Sequence, residues 1–152
     1  MAGIALPRFH FHHVGIGTTQ FDAGIEGYQA LGLTLLTRID DPNLRVRVAF
    51  LGPADGAAPL VEILAPLGEG GPLDSFIRRK RLPSPYHVAF GVPDIGRQGA
   101  ALIERGYLAL AEPQAALAMN GARIQFLVHR AAGMVELVEQ DAGGNIVLAG
   151  IG

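Results

Sequence analysis

The stretches His13–Gly17 (HVGIG) and His87–Gly91 (HVAFG) decide the fold, because they are almost the same five residues placed 74 positions apart. At the same offset, Val61–Leu64 (VEIL) corresponds to Val135–Val138 (VELV). Short matches that keep one order and one register are typical of an internal duplication. We therefore predict that the chain is built from two copies of one module.

Each module is predicted to fold as βαβββ. A strand at about 11–17 or 86–92 leads into a helix with apolar residues on one face. A glycine, Gly32 or Gly106, follows each helix at the position where a left-handed residue commonly ends it. Three further strands follow in each copy, separated by loops rich in glycine and proline.

The two modules span about 11–64 and 86–139. The linker at 65–85 is predicted to hold a short helix near Leu73–Arg81. A length of 152 residues suits one domain with a substantial core, so residues 1–152 are predicted to form a single domain of the α+β class.

The composition excludes several kinds of partner and site. With 49% hydrophobic and 17% charged residues the chain should fold. Its net charge of −2 does not favour binding to nucleic acid or to an anionic membrane. No run reaches the ~18 apolar residues of a membrane span, and we expect a cytoplasmic protein. The absence of cysteine excludes a disulfide framework, a thiolate zinc site and a cysteine nucleophile. A small molecule is the expected partner.

Two histidines and two glutamates recur with the duplication. By strand parity His13 and His87 share their faces with glycine and alanine, which cannot fill a core and so indicate a cavity. Glu62 and Glu136 each interrupt an apolar strand 49 residues after the histidine of the same module, where an unpaired carboxylate is costly. A pseudo-twofold axis would bring the four together as one divalent metal site, although buried pairs that simply hydrogen-bond would share the pattern.

Two other histidines of the first strand have no counterpart in the second module. By strand alternation His10 and His12 lie on the face opposite His13, so both are predicted to be surface residues rather than ligands.

Three polar residues of the inner strands are candidates for substrate binding. Arg47, Arg123 and Gln125 alternate with apolar neighbours such as Val48 and Ile124, so they are predicted to reach the cavity and bind a substrate carboxylate or amide. The alternative, which the pattern leaves open, is that the arginines extend to solvent at the sheet margin.

Four motifs in this order resemble the vicinal oxygen chelate (glyoxalase) superfamily. They are His13–Ile16 (HVGI), Val61–Leu67 (VEILAPL), His87–Phe90 (HVAF) and Val135–Glu139 (VELVE). Within the superfamily they are most similar to the methylmalonyl-CoA epimerase family.

The resemblance implies a curved eight-stranded mixed sheet, made of the two modules edge to edge, around a metal-binding cleft. It implies one divalent metal ion held by His13, Glu62, His87 and Glu136, and two imidazole ligands favour Ni, Co, Zn or Mn. Such a site supports removal of a proton next to a carbonyl, with Glu136 as the favoured base and Glu62 as the second carboxylate. The expected activity is epimerisation or isomerisation of a 2-substituted acyl thioester such as methylmalonyl-CoA, and a homodimer is expected.

The sequence departs from the epimerase pattern and leaves alternatives open. The strand at 45–51 lacks the acid that some epimerases carry there, and the turn at Val128–Arg130 is shortened. A glyoxalase I-like lactoylglutathione lyase would use the same ligands. A ring-cleaving Fe(II) dioxygenase normally has one carboxylate ligand instead of two, and an antibiotic-binding module of this fold typically lacks the ligands.

Overall fold

A computed structural model describes residues 9–81 and 83–151. The first module comprises β1 (His10–Gly17), α1 (Phe21–Gln29), β2 (Thr34–Asp41), β3 (Val46–Gly52) and β4 (Leu60–Pro66). The connecting helix is α2 (Pro72–Lys80). The second module comprises β5 (Ser84–Val92), α3 (Ile95–Glu104), β6 (Leu108–Ala109), β7 (Gln114–Ala116), a short 3₁₀ turn (Leu117–Met119), β8 (Ala122–His129) and β9 (Gly133–Glu139).

The strands form one mixed sheet in the order β2-β3-β4-β1-β5-β9-β8-β6, with β7 paired to β8 off this path. The first strand of each module pairs in parallel with the last strand of the same module, and β1 and β5 join the modules in antiparallel fashion. This arrangement confirms the predicted α+β fold with two βαβββ modules edge to edge.

The sheet has nine strands where eight were expected. Between α3 and β8 one strand was expected, but the structure has two short strands, β6 and β7, where the first module has the continuous eight-residue β2. Pro113 lies in the break between them, and proline has no N–H to donate to a strand ladder.

Both module helices end as the glycine positions predict. Gly32 has φ +93° and Gly106 has φ +97°, values that residues with a Cβ rarely adopt. The Gly106 amide donates to the carbonyl of Ile103, and the amide of Tyr107 donates back to Leu102. The chain therefore turns sharply after each helix and returns to the sheet.

The two faces of the sheet bury different clusters. One face packs against α1 and α3 through separate cores centred on Leu51 and Leu137. The other face holds a third core in which Val48 of β3 and Ile124 of β8 belong to one cluster, although four strands separate β3 from β8 in the sheet. The sheet must therefore curve around this face. Among the described residues, no helix is both long and apolar enough to cross a membrane.

Candidate functional site

The centre of the sheet brings the four recurring polar residues together. Gly15 lies opposite His87 across the β1–β5 pair, and Ala89 lies opposite His13. In the parallel pairs, Gly15 is the partner of Glu62 and Ala89 is the partner of Glu136. Each histidine thus extends over a small residue of the neighbouring strand, on the face to which both glutamates also point.

The donor atoms of the four side chains surround one point. The two imidazole Nε2 atoms are 3.0 Å apart. The Nε2 atom of His87 lies 3.2 Å from Glu62 Oε1 and 3.5 Å from Glu136 Oε2, and that of His13 lies 3.4 Å and 3.6 Å from the nearest oxygens of the same glutamates. Donor atoms around a metal with bonds of about 2.1 Å are spaced roughly 3.0–3.4 Å apart. The four atoms can therefore hold one ion.

Hydrogen bonding alone does not satisfy this cluster. The side chains are almost fully buried, with 0% exposure for His13 and 2–4% for the other three. Within the described part of the chain, Glu62 Oε1 and Glu136 Oε1 nevertheless have no hydrogen-bond partner. Because an unpartnered buried carboxylate oxygen costs several kcal/mol, on the order of the penalty for any buried polar group, the donor set fits a divalent cation better than it fits isolated His–Glu pairs.

The two glutamates differ electrostatically although the duplication relates them. Burial opposes ionisation at both positions and raises the pKa of Glu136. At Glu62 burial is outweighed by the imidazoles of His13 and His87, which lower the pKa of its carboxyl to about 2. Burial likewise opposes protonation of His87, but the carboxylates of Glu136 and Glu62 raise its pKa. The cluster therefore carries two carboxylates of unequal basicity.

One aromatic ring packs against each imidazole of the cluster. Phe50 meets His13 edge to face with centroids 4.9 Å apart, and Phe126 meets His87 in the same way at 5.2 Å. Phe50 is the cross-strand partner of Glu62, and Phe126 is that of Glu136. Each module therefore places a phenylalanine in the equivalent position.

A cavity of about 310 Å³ opens directly beside the cluster. Both glutamates line it, and most of the remaining wall is apolar. The apolar residues include Leu44, Val46, Val48, Leu64, Leu73, Ala116, Ala118, Met119, Ile124 and Phe126. The four polar side chains thus lie at one wall of an apolar pocket, an arrangement typical of small-molecule sites.

The predicted orientation of the arginines is wrong. Arg47 and Arg123 lie on the face of the sheet opposite the cavity, where Arg47 pairs with Asp40 at 2.9 Å and Arg123 pairs with Glu139 at 2.9 Å. Strand parity separated them correctly from their apolar neighbours, but the apolar side is the one that faces the cavity. Each arginine instead meets a carboxylate on the adjacent strand.

Gln125 has the same parity and is also held by the protein. Its Nε2 atom donates to the carbonyl of Ala111 at 3.1 Å, and its Oε1 atom lies 2.6 Å from where a Cβ on Gly99 of α3 would be. It lies at the cavity wall, but its amide nitrogen already fixes the 110–112 segment.

Sequence reasoning missed Arg45. Among the described residues lining the cavity it is the only cation, and its guanidinium donates to the carbonyl of Glu69. The turn between β2 and β3 places it there, and strand periodicity does not extend into a turn.

His12 is also not where strand alternation places it. His10 is exposed, as predicted, but His12 is only 8% exposed. The pairing of β1 with β5 advances two residues, from Phe11 to His13, against one on β5. This β-bulge turns two consecutive side chains, His12 and His13, toward the interior.

Comparisons with known proteins agree with the fold. A model of the Glyoxalase/Bleomycin resistance protein/Dioxygenase superfamily matches residues 12–126. The ethylmalonyl-CoA/methylmalonyl-CoA epimerase of Cereibacter sphaeroides is 27% identical over 117 residues, which cover 76% of this chain and 85% of that protein.

Solved structures give the same result. The crystal structure of methylmalonyl-CoA epimerase from Mycobacterium tuberculosis is 28% identical with a TM-score of 0.76, covering 91% of this chain and 93% of that one. A variant of the Streptomyces coelicolor methylmalonyl-CoA epimerase in complex with 2-nitronate-propionyl-CoA is 28% identical with a TM-score of 0.74, covering 88% and 98%.

Proposed function

We propose that this chain, which belongs to the Glyoxalase/Bleomycin resistance protein/Dioxygenase superfamily, is a metal-dependent epimerase of a 2-substituted acyl thioester such as methylmalonyl-CoA. One observation carries the proposal. The two glutamates of the buried cluster are also the two carboxylates at the inner wall of the apolar cavity, so metal binding and proton transfer meet at one place.

The residues of the site have separate roles. His13 and His87 would hold the ion through Nε2, and Glu62 and Glu136 would complete the set. A divalent ion in this position supplies Lewis-acid stabilisation of negative charge developing on a carbonyl oxygen, worth several kcal/mol.

Proton transfer falls to the glutamates. They come from opposite modules, on β4 and β9, and so flank the same point from two sides. A carboxylate on each side of a planar intermediate can remove the α-proton from one face and return one to the other, which inverts the carbon. We assign the principal base to Glu136, because burial raises the pKa of its carboxyl, whereas at Glu62 the imidazoles of His13 and His87 outweigh burial and lower the pKa.

Neither strand β3 nor Asp41 offers a further base. The cavity face of β3 carries Val46, Val48 and Phe50, so the described part of that strand supplies no acid. The Asp41 carboxylate is occupied by the backbone amides of residues 43, 44 and 117.

The relatives support the substrate class. The similar proteins named above act on ethylmalonyl-CoA or methylmalonyl-CoA, and one was solved with an acyl-CoA analogue. An apolar wall suits the alkyl substituent of such an acyl group.

The test uses NMR to measure how fast the metal-loaded protein exchanges the substrate α-proton with D₂O. The substrates are methylmalonyl-CoA and ethylmalonyl-CoA. Glu136→Gln should slow exchange at least about 100-fold, since an amide can coordinate but cannot accept the proton. Glu62→Gln should be milder, and Glu104→Gln on the exposed side of α3 is the charge-matched control.

The outcomes separate the alternatives. Exchange with inversion supports the two-carboxylate epimerase, and exchange without inversion leaves a single-base enoliser. No exchange with any thioester, together with turnover of a glutathione hemithioacetal, would replace the proposal with glyoxalase chemistry.

A further inference from the structure

We propose that His12 is a positioning residue for the metal centre, accepting the Nδ1 proton of His13 and so holding His13 with its Nε2 directed at the ion. The inference rests on the metal part of the proposed function. It does not depend on which substrate the protein turns over.

The geometry fixes the direction of the hydrogen bond. The Nδ1 atoms of His12 and His13 are 2.8 Å apart, so exactly one of them carries the shared proton. A neutral imidazole has one N–H, and an Nε2 atom that binds a metal must be free of its proton. The proton of His13 therefore lies on Nδ1, and His12 is the acceptor.

The position of His12 follows from the bulge in β1. A regular strand would direct His12 away from His13, but the extra residue opposite β5 turns both rings inward. The ring of His12 packs edge to face against His13 with centroids 5.0 Å apart, and the ring of Phe50, 6.1 Å away, packs against both imidazoles. His12 is thus held in place rather than free to swing away.

The second module has no such support. Tyr86 occupies the place before His87, and its ring packs against Phe76 and Phe126. The Nδ1 atom of His87 is buried without a hydrogen-bond partner among the described residues. Metal ligands are usually oriented by a group bonded to their other ring nitrogen, and loss of that group typically lowers metal affinity by about 10–100-fold. In residues 9–81 and 83–151, only His13 of the two histidines has such an orienting group.

The experiment measures Zn²⁺ affinity of the full chain by competition with a chromophoric chelator. His12→Leu should lower affinity by about 10–100-fold, because it leaves the His13 N–H buried without an acceptor. His12→Asn should restore affinity to within about threefold, since its Oδ1 can occupy the place of Nδ1. His10→Ala, exposed on the same strand, should bind like the wild type.

A second measurement separates positioning from folding. In the Zn²⁺-loaded wild type, NMR should detect a hydrogen-bonded, slowly exchanging Nδ1 proton on His13, and His12→Leu should lack it while keeping the wild-type far-UV circular dichroism. Zn²⁺ binding by His12→Leu with unchanged affinity would overturn the inference alone. Failure of the wild type to bind Zn²⁺, Ni²⁺, Co²⁺ or Mn²⁺ would overturn both the inference and the metal part of the proposed function.

Discussion

Gly15→Ala should disable the proposed metal centre without replacing any of its ligands. Gly15 lies opposite His87, and a Cβ added to it would be 2.3 Å from His87 Cε1 and 2.7 Å from both ring nitrogens. Carbon atoms in contact are normally about 3.5–4.0 Å apart, so the imidazole would have to move by about 1 Å. Gly15 has no positive φ, which leaves the clash as the cause of any effect.

The size of the effect follows from the tolerance of metal bonds. Ligand distances vary by about 0.2 Å, so a displacement of about 1 Å removes His87 from the ligand set. A four-ligand zinc site is worth about 10–16 kcal/mol, or roughly 3 kcal/mol for each ligand, which corresponds to a loss of about 100-fold in affinity. Overpacking should also cost the metal-free protein about 1–3 kcal/mol.

Chelator competition with Zn²⁺ measures the affinity, and urea denaturation measures the stability of the metal-free protein. Gly17→Ala is the matched control on the same strand, because its nearest neighbour is the flexible end of Leu73 at 3.1 Å. The equivalent position opposite His13 is already an alanine, Ala89, so this place in the repeat does not need glycine in general. The prediction therefore depends on the position of the His87 ring over Gly15. Affinity of Gly15→Ala within about threefold of the wild type would refute the described position of that ring.

Three further predictions concern stability. Metal at about 100 times its Kd should raise the free energy of unfolding by about 2.7 kcal/mol and Tm by roughly 5–10 °C, and a chelator should reverse the gain. Equal melting curves with and without metal would contradict the metal site. Gly27→Ala on the exposed face of α1 should stabilise the protein by about 1 kcal/mol in urea denaturation, because nothing lies within 4 Å of the new Cβ; a loss would show that the helix is not continuous there. Asp41→Ala should cost about 2–4 kcal/mol in the same assay, since the buried carboxylate accepts three backbone amides including that of Leu117; a change below about 0.5 kcal/mol would contradict those bonds.

Strand alternation correctly predicted which residues of β3 share a face. It did not predict which of the two faces borders the cavity. It separated Arg47 from Val48, and the structure keeps them on opposite faces. Which face borders the cavity depends on the curvature that brings β3 toward β8, and no local pattern contains that curvature. The cross-strand pairing of Asp40 with Arg47 is a charge signal in the sequence that would have indicated an outer position.

The duplication, the βαβββ order and the recurrence of His13, His87, Glu62 and Glu136 were determined by the sequence alone, because spacing and alternation are local properties that survive without knowledge of the partner strand. Only the tertiary structure decided how the two modules pair. The β1–β5 pairing sets the register that places Gly15 opposite His87, and it contains the bulge that turns His12 inward. A bulge exists only relative to a neighbouring strand, since it is one residue more on one side of a pairing than on the other. The four candidate ligands are therefore predictable from the chain, but the contact of His12 with His13 becomes evident only when β1 pairs with β5.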